Sequence, residues 1–357
     1  MRPLNAVAGL ALALALAVAG CGHSAPPAAP ESGSSRPFAG GSPRRLTFNL
    51  GDDRAPAWLP DGSGLLYSFQ RLDRPDHDRC LGVLPPQGGR LERTLCDANP
   101  AADDSTNVLT EPAPTPDGRL AYLLVGSQTI DITPDYTAVV LGTLDGAAVR
   151  VLRTFPYVAP DTVRHDAASQ LRWLDSTTIV YLADRVGYER PCQRCPIDTL
   201  RTGVDVVRLD LSNAAASLAV VPGTRFASAV AAGESADIIY YTLGGDARVY
   251  RRVLSTGTVS VAHDFGTGIA RDVQVVGSRL IAVVGGDVSF AFDSALGYPI
   301  QRDRGGPLVL VDLASGAETV LPGTGLAFRH PALAPSANRL VAEAVDSVAD
   351  LWMFDLP

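Results

Sequence analysis

A short hairpin repeated along the chain constrains its fold more than any other feature. The segment Ala55-Pro56-Ala57-Trp58-Leu59-Pro60-Asp61-Gly62 runs into the apolar stretch 64–69, and Glu111-Pro112-Ala113-Pro114-Thr115-Pro116-Asp117-Gly118 runs into 120–124. In each copy a Pro-Asp-Gly turn joins two strand-like runs, which is a hairpin signature. Weaker copies pair 171–175 with 179–182, 228–230 with 238–241, 273–277 with 280–283 and 331–335 with 340–342. Hairpins of a second kind lie between them and turn at 210–213, 255–257 and 312–316. Four strands, a to d, therefore recur about every 45 to 60 residues, as in the blades of a propeller.

Counting the a–b hairpins gives six. The expected fold is all-β, a six-bladed β-propeller over 45–357. After 351–356 the last blade is one strand short, and 45–50 stands where a fourth strand would, so the N-terminal strand is expected to close the ring. Closure leaves no free edge within the ring and favours a monomeric body. The segment Pro56-Ala57-Trp58-Leu59-Pro60-Asp61-Gly62 resembles the WD40-like (PD40) repeat of the TolB propeller family. The likeness is strong in the first two units and faint in the rest. It implies N-terminal strand closure, also seen in that family. TolB proteins carry an additional N-terminal α/β domain where this chain offers a short tether, so their role of binding a partner lipoprotein does not carry over directly.

The N-terminus reads as an export signal. Arg2 precedes an apolar run over 6–19, too short to span a bilayer as a helix. The run ends in Val18-Ala19-Gly20-Cys21, which resembles the lipobox of bacterial lipoproteins. Residues 1–20 are thus expected to be a lipoprotein signal peptide, with Cys21 as the lipidation site. An ordinary signal peptide with an incidental Cys21 is the competing reading. Residues 21–44, rich in Pro, Ser, Gly and Ala, are expected to form a disordered tether. The expected location is the bacterial cell envelope, lipid-anchored to a membrane, at the outer membrane facing the periplasm or at the cell surface. The net charge of −8, without a basic run, argues against nucleic acid and against a polybasic membrane patch.

Four cysteines remain after Cys21. Cys80 and Cys96 are equidistant from Gly88 in a Pro-Pro-Gln-Gly-Gly turn, which places them opposite each other on strands c and d of the first blade. An exported chain meets oxidising conditions, so a disulfide is expected there. Cys192 and Cys195 form a C-x-x-C in the long loop of the third blade. A local disulfide is the favoured reading. A redox centre lacks the helix that would lower a thiol pKa, and a zinc site would need all four cysteines together.

Within a blade the b–c and d–a connections share one face. The b–c connections at 70–79, 126–136, 184–203 and 286–305 are long and are expected to be irregular loops, so this is the expected binding face. The d–a loops are expected to bring Asp53, Arg54, Glu111, His165, Asp166, Arg225, Arg271, Asp272, Arg329 and His330 to the mouth of the central channel. A hydrated channel needs polar residues in any case, and a concave polar mouth is also a default ligand site. No G-x-S-x-G, H-E-x-x-H or EF-hand loop occurs, so no catalytic residue, metal or cofactor is expected. The function expected is binding or scaffolding of an envelope protein or peptide. The alternative is an envelope enzyme, a metal-dependent lactonase or sugar dehydrogenase, with Asp53, Glu111, Asp166 and Asp272 converging on a metal.

Overall fold

Each Pro-Asp-Gly segment turns the chain through a tight hairpin. Leu59 N donates to Gly64 O at 2.9 Å and Gly62 N to Leu59 O at 2.8 Å; Thr115 and Gly118 repeat the pattern. The turn glycines Gly62 and Gly118 have φ of 72° and 81°, where a β-carbon would be strained. In the computed structural model, residues 43–71, 79–96, 105–128, 136–146, 150–154, 162–189, 198–212, 217–285, 288–293, 298–303, 305–323, 325–345 and 348–356 are described. Among them every regular element is a β-strand. Residues 1–42, with Cys21, and the pair Cys192 and Cys195 lie outside the described residues.

The strands form antiparallel meanders. Four sheets have four strands each, and a further sheet has eight, seven along its main path and Arg93–Leu95 branching from Arg79–Leu84. The larger sheet divides into two meanders, one beginning at Asp53–Trp58 and the other at Ser105–Pro114, joined by a single parallel pairing of Arg79 with Val108. Where the repeats led to six separate sheets, four separate four-stranded sheets are found, and the strands of 53–154 share one larger sheet. One four-stranded sheet holds Ala327–Leu333, Arg339–Val345, Asp350–Asp355 and the N-terminal strand Arg44–Arg45, in which Arg44 pairs with Met353 and Arg45 with Trp352. The closing strand is shorter than the expected 45–50. Leu46 N still donates to Leu351 O at 2.7 Å, but the next backbone donor, Leu351 N, is met by the Thr47 hydroxyl at 3.0 Å.

Among the described residues the first strands of the meanders touch one another in a closed cycle. It runs through Asp53–Trp58, Ser105–Pro114, Thr162–Trp173, Ala227–Ala232, Ala270–Val276 and Ala327–Leu333, and returns to the first. The core lies between the facing sheets. Leu66 and Leu81 pack with Leu109 and Leu120, Val139 with Leu171 and Ile179, and Val206 with Val230 and Ile239. Val249 packs with Val273 and Leu280, Ile281 with Phe328 and Leu340, and Tyr67 with Val341 and Met353 across the closing seam. Each such fully buried side chain contributes about 1.5–3 kcal/mol, so the packing between neighbouring sheets holds the ring together.

Two expected loops are instead paired strands. Much of 184–203 extends the hairpin of Thr178–Glu189 with Asp198–Asp210, and 286–305 contains the two-stranded sheet Val288–Asp293 with Tyr298–Asp303. The alternation Val288-Ser289-Phe290-Ala291-Phe292 has the period of a strand, which explains the pairing. In the first meander Cys80 and Cys96 form a disulfide, with Cα atoms 4.5 Å apart, continuing the Leu81–Leu95 register.

Candidate functional site

Each first strand carries a break in register. The breaks fall between Arg54 and Ala57, Thr110 and Ala113, Ser169 and Arg172, Ala227 and Ala229, Arg271 and Gln274, and Arg329 and Ala332. In five of them the first residue inside the break has a left-handed backbone: Ala55, Glu111, Gln170, Asp272 and His330, with φ from 47° to 62°. In the Ala227–Ala232 strand the positive φ of 69° falls on Phe226, just ahead of the break. Non-glycine residues in this region cost on the order of 1–3 kcal/mol each, and bulges of this kind re-aim side chains.

The bulge side chains meet at the ring centre. Gln170 Nε2 donates to Asp272 Oδ1 at 3.0 Å across the intervening meander, and its Oε1 accepts from Val230 N at 2.8 Å. Asp272 Oδ2 accepts from His330 N at 3.1 Å. His330 Nδ1 lies 2.9 Å from Glu343 Oε2, and His330 Nε2 lies 4.0 Å from Glu111 Oε1. Glu343 is fully buried on Arg339–Val345, directly opposite Arg329, whose guanidinium binds it. Arg54 Nε stands 3.9 Å from the same oxygen, Glu343 Oε1. Arg172 Nε is buried without a hydrogen-bond partner among the described residues.

Electrostatics follow from this crowding. Burial opposes a charge on His330, but Asp272, the hydrogen bond to Glu343 and Glu111 outweigh it and raise its pKa to about 9. Burial likewise opposes ionisation of Glu343, yet His330, Arg329 and Arg54 lower it to about 2. Burial lowers Arg172, while Glu111 and Asp272 pull it back up.

The expected site residues divide accordingly. Glu111, Asp272, Arg329, His330 and Arg54 come together, but from the bulged first strands rather than from d–a loops. Asp53 is withdrawn from that group. It is fully buried at the closing seam, where Asn49 Nδ2 donates to both of its oxygens at 2.9 and 2.8 Å, so it cannot meet a partner at the surface. Arg271 is buried and donates to Gly285 O and Gly305 O at 2.6 and 3.0 Å, anchoring the inserted hairpin. His165 and Asp166 fall within the strand Thr162–Trp173, paired with Arg185 and Asp184, and not in a loop; their side chains lie outside the description. Arg225 is exposed and lies 5.1 Å over the ring of Phe226. Sequence reasoning missed Gln170, Arg172, Phe226 and Glu343. Aligning the first strands on their hairpins would have placed Gln170 in one column with Glu111, Asp272 and His330. Among the described residues no group of three His, Cys, Asp or Glu side chains is arranged to hold a metal. A cleft of about 490 Å³ near Leu46, Asn49 and Arg93 lies at the closing seam, apart from the His330 cluster.

No family model and no curated protein matches the chain. Solved structures do. A regucalcin from Agrobacterium tumefaciens aligns with a TM-score of 0.53 at 12% identity, over 88% of this chain and 94% of that one. The fold is a β-propeller. A gluconolactonase from Xanthomonas campestris aligns at 0.51 and 15% identity, over 88% and 95%. TolB from Acinetobacter baumannii aligns at 0.51 and 14% identity over 82% of this chain, which spans 63% of the TolB chain. At these identities the likeness is one of fold.

Proposed function

We propose that this is a six-bladed propeller of the bacterial cell envelope, lipid-anchored at Cys21, that binds a protein or peptide at the face where the b–c and d–a connections gather. The closed cycle of first strands supports the blade count, as does the division of the eight-stranded sheet at Arg79–Val108. The Val18-Ala19-Gly20-Cys21 pattern supports the anchor. The Cys80–Cys96 disulfide suits an oxidising compartment.

The observation that carries the binding reading is Phe226. Its ring is 56% exposed on a d–a connection, its backbone is left-handed, and Arg225 stacks over it. An exposed aromatic and an arginine held together are the residue types that dominate binding interfaces. The strain is retained where a glycine would relieve it, which points to a use for the ring. Cross-linking capture from the envelope should therefore retain a partner with the wild-type protein and lose it with Phe226→Gly, while the variant unfolds no earlier in denaturant. Equal retention by the two proteins would overturn the assignment.

A further inference from the structure

We propose that the gap between Glu111 and His330 seats an uncharged side chain of a bound peptide that both donates and accepts a hydrogen bond, a Ser or Thr hydroxyl or an Asn or Gln carboxamide. This rests on the peptide-binding reading above and narrows its ligand.

The two residues come from the meanders on either side of the first one, and the bulge residue between them in the ring, Ala55, carries only a methyl group. Their nearest polar atoms are 4.0 Å apart, beyond hydrogen-bond length but short enough for one group to bridge. His330 has committed Nδ1 to Glu343, so the protonated ring keeps an Nε2–H directed at the gap. The Glu111 side chain is only 11% exposed and accepts no hydrogen bond among the described residues. Both walls of the gap stand on left-handed backbone, φ 51° for Glu111 and 47° for His330.

The seat therefore presents a donor on one side and an acceptor on the other. An anion would be desolvated against Glu111 and Asp272, and a cation against His330; each meets a like charge. A dipolar group finds a complement at both ends. It also gives Glu111, whose ionic partner His330 stands 4.0 Å away, a donor at hydrogen-bond length, the condition that makes sites for polar groups selective.

The test uses the intact chain with the pentapeptides Gly-Gly-Xaa-Gly-Gly, where Xaa is Ser, Asn, Ala, Asp or Lys, and free serine as a control. Binding is followed through the ring nitrogen signal of His330. The Ser and Asn peptides should shift that signal and bind at least about tenfold tighter than the Ala peptide, the value of one well-placed hydrogen bond. Glu111→Gly, which relieves the backbone strain and removes the acceptor, should abolish the preference, and Glu111→Gln, which keeps an acceptor, should restore most of it. Equal binding of the Ala peptide overturns the proposal, as does tightest binding by the Asp peptide, the Lys peptide or free serine, or no binding by any peptide. If envelope capture still depends on Phe226 in that event, the seat alone falls and the binding-face reading stands.

Discussion

His330 Nδ1 lies 2.9 Å from Glu343 Oε2, joining a bulged first strand to the strand beside it at the centre of the ring. Glu343 is fully buried and also holds Arg329, with Arg54 Nε 3.9 Å away. Removing its charge would leave these cations crowded without their counter-ion. Glu343→Gln should cost about 3–5 kcal/mol, the usual result of breaking a buried pair from one side. Chemical denaturation measures it. A cost below about 1 kcal/mol would mean that the cations relax into water.

The same pair sets a pH window. The folded pKa of His330 is raised, so its contribution is full below its unfolded value of 6.5 and is lost as pH rises through about 9. That of Glu343 is lowered, so its contribution is present above 4.5 and is lost as pH falls through about 2. Their joint stabilisation should plateau between those unfolded values and decline on both sides. Comparing wild type with Glu343→Gln across pH isolates this effect, and a difference that stays flat from acid to alkaline pH would contradict it.

Asp53 behaves in the opposite sense. Burial is the largest influence on it and, helped by Asp350 and Asp52 against the hydrogen bonds of Asn49 and Thr47, raises it to about 7. The folded state then holds the proton more tightly than the unfolded chain, so stability falls as pH climbs from 3.8 to about 7. Asp53→Asn should remove that loss. Relative to wild type it should gain stability over this interval, by on the order of 4 kcal/mol at full ionisation. Melting both proteins at pH values on either side of the interval checks the sign.

The repeat was legible in the sequence because turn chemistry is local: Pro-Asp-Gly at 60–62 and 116–118 announces a hairpin wherever the rest of the chain goes. The Cys80–Cys96 pairing was legible for the same reason, through its symmetry about Gly88. The bulges were not. One extra residue in a strand leaves the apolar alternation on either side intact, so Glu111 and His330 read as loop residues at the channel mouth rather than as strand residues turned towards its centre. Glu343 was hidden inside the apolar run 340–345, where its neighbours signal core and only the fold brings Arg329 and His330 against it. Asp53 sat in a charged stretch that read as surface, and its burial follows from closure of the ring, a contact between the two ends of the chain.

The Cys80–Cys96 bridge spans 16 residues from the start of the third strand of its meander. Replacing both cysteines with serine should lower stability by up to ~3 kcal/mol through the freed loop. Reductant should produce a larger drop in the wild type than in the variant. Cys80 is 2% exposed, so reduction should be slow until the protein is partly unfolded.

Two tryptophans repeat one device across different seams. Trp58 Nε1 donates to Ala332 O at 2.9 Å, and Trp173 Nε1 donates to Ala113 O at 2.8 Å. Each indole sits three residues beyond its left-handed bulge residue, and each acceptor two residues beyond that of the neighbouring first strand. Changing either residue to Phe keeps most of the apolar contact but leaves a carbonyl without its donor, a loss of about 1–3 kcal/mol. Trp58→Phe should cost more. Trp58 is 7% exposed and ties the first meander to the last, so its acceptor cannot easily recruit water. Trp173 is only partly buried and lies under the Arg119 guanidinium at 5.0 Å, on a surface where water can replace the indole N–H. Denaturation of the two variants gives the order directly, and a larger loss for Trp173→Phe would show that the closing seam is not held by this hydrogen bond.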